Sequence, residues 1–140
     1  MSKIQKKIWI TGASSGIGKA LAEKFAKENW KVAVSARRED LLKELAQNEN
    51  ISSFPLDVTD EQKIKEAFSK ILNEFNDLDL CVFCTGAYEP KLEKEINKEQ
   101  IKKIMNINFF GILNCVKAVE DYFKNKKVGH ISIVSSVAAY

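Results

Sequence analysis

The stretch Ile8-Trp9-Ile10-Thr11-Gly12-Ala13-Ser14-Ser15-Gly16-Ile17-Gly18 decides the fold. Its first four residues have the character of a buried strand, and the residues from Ile17 onward have the apolar spacing of a helix. A strand that enters a helix through closely spaced glycines brings free backbone N–H groups and the positive end of the helix dipole to one point. The spacing Thr-Gly-x-x-x-Gly-x-Gly therefore predicts a site for a nucleotide pyrophosphate. The alternative is that the glycines serve only helix–sheet packing.

Two kinds of segment alternate along the rest of the chain. Apolar, β-branched stretches predict five strands, and the charged stretches between them, with apolar residues on one face, predict four helices. The predicted strands are Ile8–Thr11, Lys31–Ser35, Ser52–Leu56, Leu78–Thr85 and His130–Ser135. The third helix is expected to start at Thr59-Asp60-Glu61-Gln62, and the fourth to run from near Asn97 to about Asn125. This alternation predicts a doubly wound α/β fold with a parallel sheet. With the glycine loop after its first strand, the sheet is expected to be Rossmann-like, with the strands in the order 3-2-1-4-5.

Length and composition bound the class of protein. The 140 residues are the length of a single domain, which the glycine loop indicates to be dinucleotide-binding. With 45% hydrophobic and 29% charged residues, the composition excludes a disordered, collagenous or disulfide-rich chain. A net charge of +3 gives no reason to expect a nucleic-acid partner. The longest uncharged runs have 13 residues, too few to cross a bilayer, and no signal peptide is visible. We therefore expect a cytoplasmic protein.

The only two arginines of the chain stand side by side after the second predicted strand, at Arg37 and Arg38. In a dinucleotide fold an acidic residue at this strand end accepts from the ribose hydroxyls of NAD, whereas arginine accommodates the 2′-phosphate of NADP. We therefore expect NADP(H), with both arginines as phosphate ligands and Ser35 as an additional one. The alternative is a surface pair bound to Glu39 and Asp40. The missing acid also argues against an S-adenosylmethionine methyltransferase.

Taken together, these motifs resemble the short-chain dehydrogenase/reductase family, and the resemblance runs along all 140 residues. Within the glycine loop it implies cofactor contacts from Gly12, Ser14, Ser15, Gly16, Ile17 and Gly18. After the third strand it implies that Asp57 contacts the adenine amino group, with Val58 beside it, although Asp57 could instead cap the following helix. In Phe83-Cys84-Thr85-Gly86, which stands where the family has Asn-Asn-Ala-Gly, only Gly86 is retained.

The resemblance also implies an NADP(H)-dependent oxidoreductase that transfers hydride between the nicotinamide and a carbonyl or alcohol substrate. Asn108 matches the asparagine that holds a water in the family's proton relay, and Ser136 matches the serine that binds the substrate carbonyl. The family's proton donor is a tyrosine about a dozen residues beyond that serine, in Tyr-x-x-x-Lys, whereas this sequence stops at Tyr140. We therefore expect a chain truncated after the fifth strand; the alternative is a non-catalytic nucleotide-binding remnant.

Substrate and partners are less well determined. Only the segment from Gly86 to Asn97 is expected to border a substrate pocket, so the sequence does not identify the substrate. The apolar residues of the fourth helix are expected to be mostly core: Ile101, Ile104, Met105, Ile112, Val116 and Val119. Because family members use this helix in a subunit interface, we also expect a homo-oligomer.

The cysteines and the single histidine predict no redox or metal site. Cys81 and Cys84 have the spacing of a redox or metal pair, but residues three apart in a strand point to opposite faces of the sheet. We therefore expect both to be small buried residues, as we do Cys115. His130 alone cannot complete a metal site.

Overall fold

The computed structural model describes residues 4–88 and 97–136. The strands are β1 (Lys7–Thr11), β2 (Lys31–Ser35), β3 (Ile51–Ser53), β4 (Leu80–Phe83) and β5 (His130–Ile133). The helices are α1 (Gly16–Lys27), α2 (Glu39–Leu45), α3 (Glu61–Phe75), α4 (Lys98–Met105) and α5 (Ile112–Lys126), and a π-helical turn (Asn106–Gly111) joins α4 to α5. None of the helices in these two ranges is long and apolar enough to cross a membrane.

All five strands are parallel, in the order β3-β2-β1-β4-β5, which confirms the predicted Rossmann-like fold. At the carboxyl end of β1, Thr11 lies opposite Ser35 of β2 and Phe83 of β4. The connections that follow β1, β2 and β4 therefore leave the sheet at one level. In an open parallel sheet, ligands bind in this crevice, where the strand order reverses.

The third strand is shorter than predicted, although its pairing with β2 continues beyond Ser53. The Phe54 amide donates to the Val34 carbonyl at 2.9 Å and the Leu56 amide to the Ala36 carbonyl at 3.1 Å. Pro55 lies between them and has no N–H to donate. The chain thus follows β2 to Leu56 and delivers Asp57 to the same edge of the sheet as the end of β2.

Apolar side chains fill the two layers on either side of the sheet. The layer beneath α3 and α5 is built around Trp9, whose ring is stacked on Phe68 and meets the edge of Phe83, each at a centroid distance of 5.9 Å. Cys81 is buried in this layer, whereas Cys84 packs against the layer beneath α1 and α2. This confirms the prediction that the two cysteines face opposite sides of the sheet.

A polar cluster lies where α5 ends, at the edge of the sheet opposite the crevice. The Tyr122 hydroxyl donates to Asp77 at 2.6 Å and accepts from the Leu78 amide at 3.0 Å. The Lys126 ammonium lies 2.7 Å from the same carboxylate. Partial burial acts to raise the pKa of Asp77, but the hydrogen bonds from Lys126 and Tyr122 outweigh it and lower that pKa to about 2.

The predicted fourth helix is one continuous helical stretch, but its apolar residues are less buried than expected. Ile112 and Val119 are core residues, whereas Ile101 is 41% and Met105 47% exposed, so the prediction was wrong for the α4 part. The π-helical turn and the start of α5 add further exposed apolar side chains: Phe109, Phe110 and Leu113. The cause is that, among the described residues, no strand packs closely against α4, which only continues along the chain into the π-helical turn.

Candidate functional site

A cavity of about 530 Å³ opens in the crevice at the carboxyl ends of β1, β2 and β4. Every residue that the sequence predicted to contact a cofactor lines it: Gly12, Ser14, Ser15, Gly16, Ile17, Gly18, Ser35, Arg37, Arg38, Asp57, Val58 and Gly86. Its volume lies within the range of about 300–1,000 Å³ that small-molecule sites occupy. The parallel sheet thus brings residues from four separate connections around one space.

The glycine loop combines close backbone packing with an open face. A Cβ on Gly12 would lie 2.8 Å from the backbone of Cys84, and one on Gly18 would overlap the carbonyl oxygen of Gly12. Gly16 instead has a φ of +55° and nothing within 4 Å of its Cβ position. Ser15, the N-cap residue of α1, makes no side-chain cap hydrogen bond, so its side chain leaves the first N–H groups of the helix to a ligand.

The two arginines occupy different positions at the end of β2. The Arg38 guanidinium donates from Nη2 to Ser14 Oγ at 3.0 Å and to Ser15 Oγ at 2.8 Å, and so spans the glycine loop. The charge of Arg37 acts instead on Asp57, the residue that follows the third strand. One guanidinium therefore lies over the pyrophosphate loop and the other on the side of the third strand.

Among the described residues, Arg37 and Arg38 do not form the alternative ion pair with the acids that follow them. Glu39 pairs with Lys43 at 3.0 Å, and neither arginine reaches Glu39 or Asp40 in residues 4–88 and 97–136. The guanidinium groups are therefore not neutralised by the acids that follow them in sequence.

Ser35 forms part of the floor of the cavity. Its side chain is fully buried, its Oγ accepts from Trp9 Nε1 at 2.9 Å, and its carbonyl accepts from the Ala13 amide at 3.2 Å. Beside it, the buried hydroxyl of Thr11 has no hydrogen-bond partner in the described part of the chain. Ser35 thus connects β2 to the glycine loop, and its hydroxyl is not accessible to solvent.

Asp57 stands in a tight turn before α3. Its Oδ1 accepts from the Thr59 amide at 2.9 Å and the Thr59 hydroxyl at 2.8 Å, while Asp60 is the residue that caps the helix. Partial burial acts to raise the pKa of Asp57, but the hydrogen bonds from Thr59 and the charge of Arg37 lower it below the ordinary value. Asp57 therefore presents an ionised carboxylate at the cavity.

Asn108 lies within the π-helical turn, and its side chain holds the segment after β4. Its Oδ1 accepts from the Ala87 amide at 2.6 Å and its Nδ2 donates to the Ala87 carbonyl at 2.8 Å. The carbonyl oxygen and the amino group of an asparagine each have one further hydrogen-bonding position. The amide can therefore anchor Ala87 and still bind a water.

Ser136 is exposed and follows the last residue of β5 by three positions. Neither Ser136 nor Asn108 is among the described residues that line the cavity, whereas Ile107 and Val134, their near neighbours in sequence, do line it. Asn108 lies next to the cavity, since its Oδ1 is 3.9 Å from the Cβ position of the lining residue Gly86, whereas Ser136 is close to a lining residue only in sequence. Tyr140 and positions 89–96 of the predicted substrate segment lie outside the described residues.

Several lining residues were not predicted from the sequence: Ala36, Leu56, Cys84, Thr85, Ile107 and Val134. Most of them adjoin a predicted residue at the end of a strand, so the positions of the strand ends were the signal that could have identified them. Ile107 enters from the π-helical turn, and its only signal was its neighbour Asn108.

The three thiols do not provide a reactive group. Burial raises the pKa of Cys115 to about 12 and raises that of Cys81 well above its ordinary value. Half-burial also raises the pKa of Cys84, the one thiol that lines the cavity. The described residues contain no group of three or more histidine, cysteine or acidic side chains that could hold a metal ion.

Comparison with known proteins places this geometry in context. The family model described as short chain dehydrogenase matches residues 6–140. Dehydrogenase/reductase SDR family member 7 of Mus musculus is 33% identical over 140 residues, which cover 94% of this chain and 41% of that protein. The 2,3-dihydro-2,3-dihydroxybenzoate dehydrogenase of Bacillus subtilis strain 168 is 30% identical over 136 residues, which cover 94% of this chain and 52% of that protein.

Solved structures give the same comparison in three dimensions. The structure of ElxO with NADP bound matches with a TM-score of 0.86 at 32% identity and covers 96% of this chain and 56% of that one. The structure of gox2181 matches with a TM-score of 0.90 at 20% identity, which is a likeness of fold alone. The chain spans about half the length of the curated relatives that it matches.

Proposed function

The chain belongs to the short-chain dehydrogenase family of oxidoreductases, and from that premise we propose that residues 1–140 are a dinucleotide-binding domain for NADP(H). The observation that carries the proposal is the Arg38 guanidinium lying across Ser14 and Ser15 at the glycine loop, at the rim of a cavity lined by every predicted cofactor residue. Such a site offers positive charge and hydroxyl donors beside the N-terminus of a helix.

The shape of the site supports a dinucleotide. Gly12 and Gly18 let the loop backbone pack closely, and the open space at Gly16 leaves room for a pyrophosphate against the first N–H groups of α1. The base would lie near Asp57 and Val58, and the nicotinamide end near Gly86. The bound cofactor supplies the hydride, and the protein's part is to orient it and to stabilise charge on the substrate oxygen.

The choice of NADP over NAD rests on the end of β2. No acid stands there to accept from ribose hydroxyls, and two guanidinium groups lie at the cavity with no ion pair to Glu39 or Asp40 among the described residues. Arg38 would bind the 2′-phosphate together with the Ser14 hydroxyl, and Arg37 would supply a second positive charge near it. The ElxO structure carries NADP, which is consistent with this choice but concerns that protein.

The reaction that we propose is hydride transfer between the nicotinamide and a carbonyl or alcohol substrate, a small molecule whose identity is open. Ser136 would hold the substrate oxygen, and Asn108 would hold a water while it anchors Ala87. We also propose a homo-oligomer through the fourth helical stretch, since its exposed apolar side chains include Phe109 and Phe110, 55% and 50% exposed.

Equilibrium titration with NADPH and NADH tests the cofactor proposal. We expect the 140-residue chain to bind NADPH at least about tenfold more tightly than NADH, and Arg38→Ala to remove most of that difference, because a hydrogen-bonded charge pair contributes about 1.5–3 kcal/mol. Lys43→Ala, on the neighbouring helix α2, is the matched loss of an exposed charge and should leave the ratio unchanged. Equal affinities for the two cofactors in the wild type would refute the NADP assignment.

A second measurement asks whether these 140 residues transfer hydride by themselves. Consumption of NADPH in the presence of a panel of aldehydes and ketones supports hydride transfer by this chain and contradicts the need for a proton donor in Tyr-x-x-x-Lys. Tight binding of NADPH without any consumption assigns to these residues the nucleotide-binding part of the reaction alone.

A further inference from the structure

The turn formed by Asp57, Val58 and Thr59 is held at three points. Thr59 occupies one carboxylate oxygen of Asp57 through its amide and its hydroxyl. The Val58 side chain packs against the helical stretch at Gly111. The Val58 carbonyl accepts a hydrogen bond of 3.2 Å from Nδ2 of Asn114, in the first turn of α5 and 56 residues away in sequence.

The bond from Asn114 is the only polar contact between the described part of the fourth helical stretch and the backbone of this turn. It lies in a partly buried position, where water competes less for the Val58 carbonyl. Because the Asp57 side chain and the Val58 carbonyl are both hydrogen-bonded, this short turn has little freedom to rotate. Together with the two bonds from Thr59, the bond from Asn114 thus limits the directions in which the Asp57 carboxylate can face the cavity.

The chemistry of the carboxylate defines what the turn can recognise. Oδ1 is occupied by Thr59, while Oδ2 makes no hydrogen bond with the described residues, and Asp57 lines the cavity. A carboxylate can only accept hydrogen bonds, so it favours a purine that presents an amino group, as adenine does at N6, over one that presents a carbonyl oxygen there. Correct aim of Oδ2 is thus the source of discrimination between the two bases.

We propose that Asn114 is a positioning residue for recognition of the nucleotide base: by holding the Val58 carbonyl, it aims Oδ2 of Asp57 at an exocyclic amino group. This inference rests on the proposed function, because it requires a bound purine dinucleotide. It assigns to Asn114 no contact with the cofactor.

The test compares NADPH with its hypoxanthine analogue, in which the amino group is replaced by a carbonyl oxygen. The quantity measured is the ratio of the two dissociation constants. A general loss of stability weakens the binding of both dinucleotides by the same factor and therefore leaves this ratio unchanged. We expect the wild type to favour NADPH by about tenfold or more. Asn114→Asp keeps the size of the side chain but loses the donor, and should reduce this ratio at least about fivefold. If Asn114→Asp does not fold, Asn114→Ala removes the same donor and should reduce the ratio in the same way.

Lys117→Ala is the matched control, since it removes an exposed ion pair with Glu61 (3.9 Å) from the same helix and should leave the ratio at its wild-type value. A wild type that binds neither dinucleotide refutes the proposed function itself. A wild type that binds both equally refutes the base contact at Asp57 and, with it, the role of Asn114. A wild type that discriminates, with Asn114 variants that discriminate equally well, refutes the positioning role alone.

Discussion

Replacing Gly111 by alanine would test how closely the fourth helical stretch packs on the cavity wall. Gly111 is buried at the end of the π-helical turn, with the helical backbone angles φ −61° and ψ −41°. A Cβ there would lie 2.5 Å from Cγ2 and 3.2 Å from Cβ of Val58. Non-bonded carbon atoms prefer about 3.5–4.0 Å, so the helix and Val58 would have to separate by about an ångström.

Two opposing effects determine the size of the change. Alanine is more stable than glycine in a helix by about 1 kcal/mol, which would favour the variant. Overpacking of a well-filled core costs about 1–3 kcal/mol, which disfavours it. The structure therefore predicts that Gly111→Ala lowers the free energy of unfolding, by about 1 kcal/mol net, at a position where helix propensity alone predicts a gain.

A double-mutant cycle with Val58→Ala isolates the contact, because that substitution removes Cγ2. Unfolding by urea of the wild type, the two single variants and the double variant gives the coupling free energy. We expect Gly111→Ala to become neutral or stabilising in the Val58→Ala background, with a coupling of at least about 1 kcal/mol. If Gly111→Ala has the same effect in both backgrounds, the reasoning from close packing is wrong.

Three further predictions follow from other contacts. Asn108→Ala removes both hydrogen bonds to Ala87, so the Ala87 amide should exchange with solvent deuterium about tenfold faster; an unchanged rate would contradict the anchoring role. Tyr122→Phe removes the hydroxyl bound to Asp77 and should cost about 1 kcal/mol at pH 7. Folding lowers the pKa of Asp77 from 3.8 to about 2, so this loss of stability should be complete above about pH 4 and become smaller as the pH falls to 2. A loss of stability that is equal at pH 7 and at pH 2 would argue against the ion cluster. Burial raises the pKa values of Cys81 and Cys115, so these thiols should react with a thiol reagent only as the protein unfolds. Cys84, which lines the cavity, should react slowly and be protected by NADPH. Rapid labelling of all three thiols in the native protein would contradict their burial.

Most residues around the cavity could be predicted because they lie in the connections that follow the carboxyl ends of strands. A glycine loop after β1, an arginine pair after β2 and Asp57 after β3 can each be located in the sequence by the apolar run that precedes it. A parallel sheet then brings these ends together without further information. The topology and the cofactor-facing side of the candidate site therefore follow from short-range patterns.

The contacts that were missed join residues far apart in sequence. The bond between Trp9 and Ser35 spans 26 residues and that between Asn114 and Val58 spans 56, and neither leaves a local pattern. The exposure of Ile101 and Met105 was missed because apolar periodicity shows that a helix has a face but not whether another element covers it. The π-helical turn was missed because periodicity over a long apolar stretch does not distinguish the two hydrogen-bonding patterns.

The π-helical turn also determines how far α4 is rotated about the helix axis relative to α5, which is the angular phase between the two helices. In an α-helix, residues four apart advance by about 40° beyond a full turn, so four such residues drift by about 120° around the axis. Four exposed apolar side chains have this spacing: Ile101, Met105, Phe109 and Leu113. The π-helical turn is wider than an α-helical turn and holds about one extra residue, so it reverses part of this rotation and keeps the four side chains closer to one side of the helix. Because the turn already holds this extra residue, deleting one residue from it would restore α-helical winding and leave the phase between α4 and α5 nearly unchanged. Deleting one residue from α4 itself would instead rotate the part before the deletion by about 100° and split this exposed row, while the buried side of α5 stays on the core.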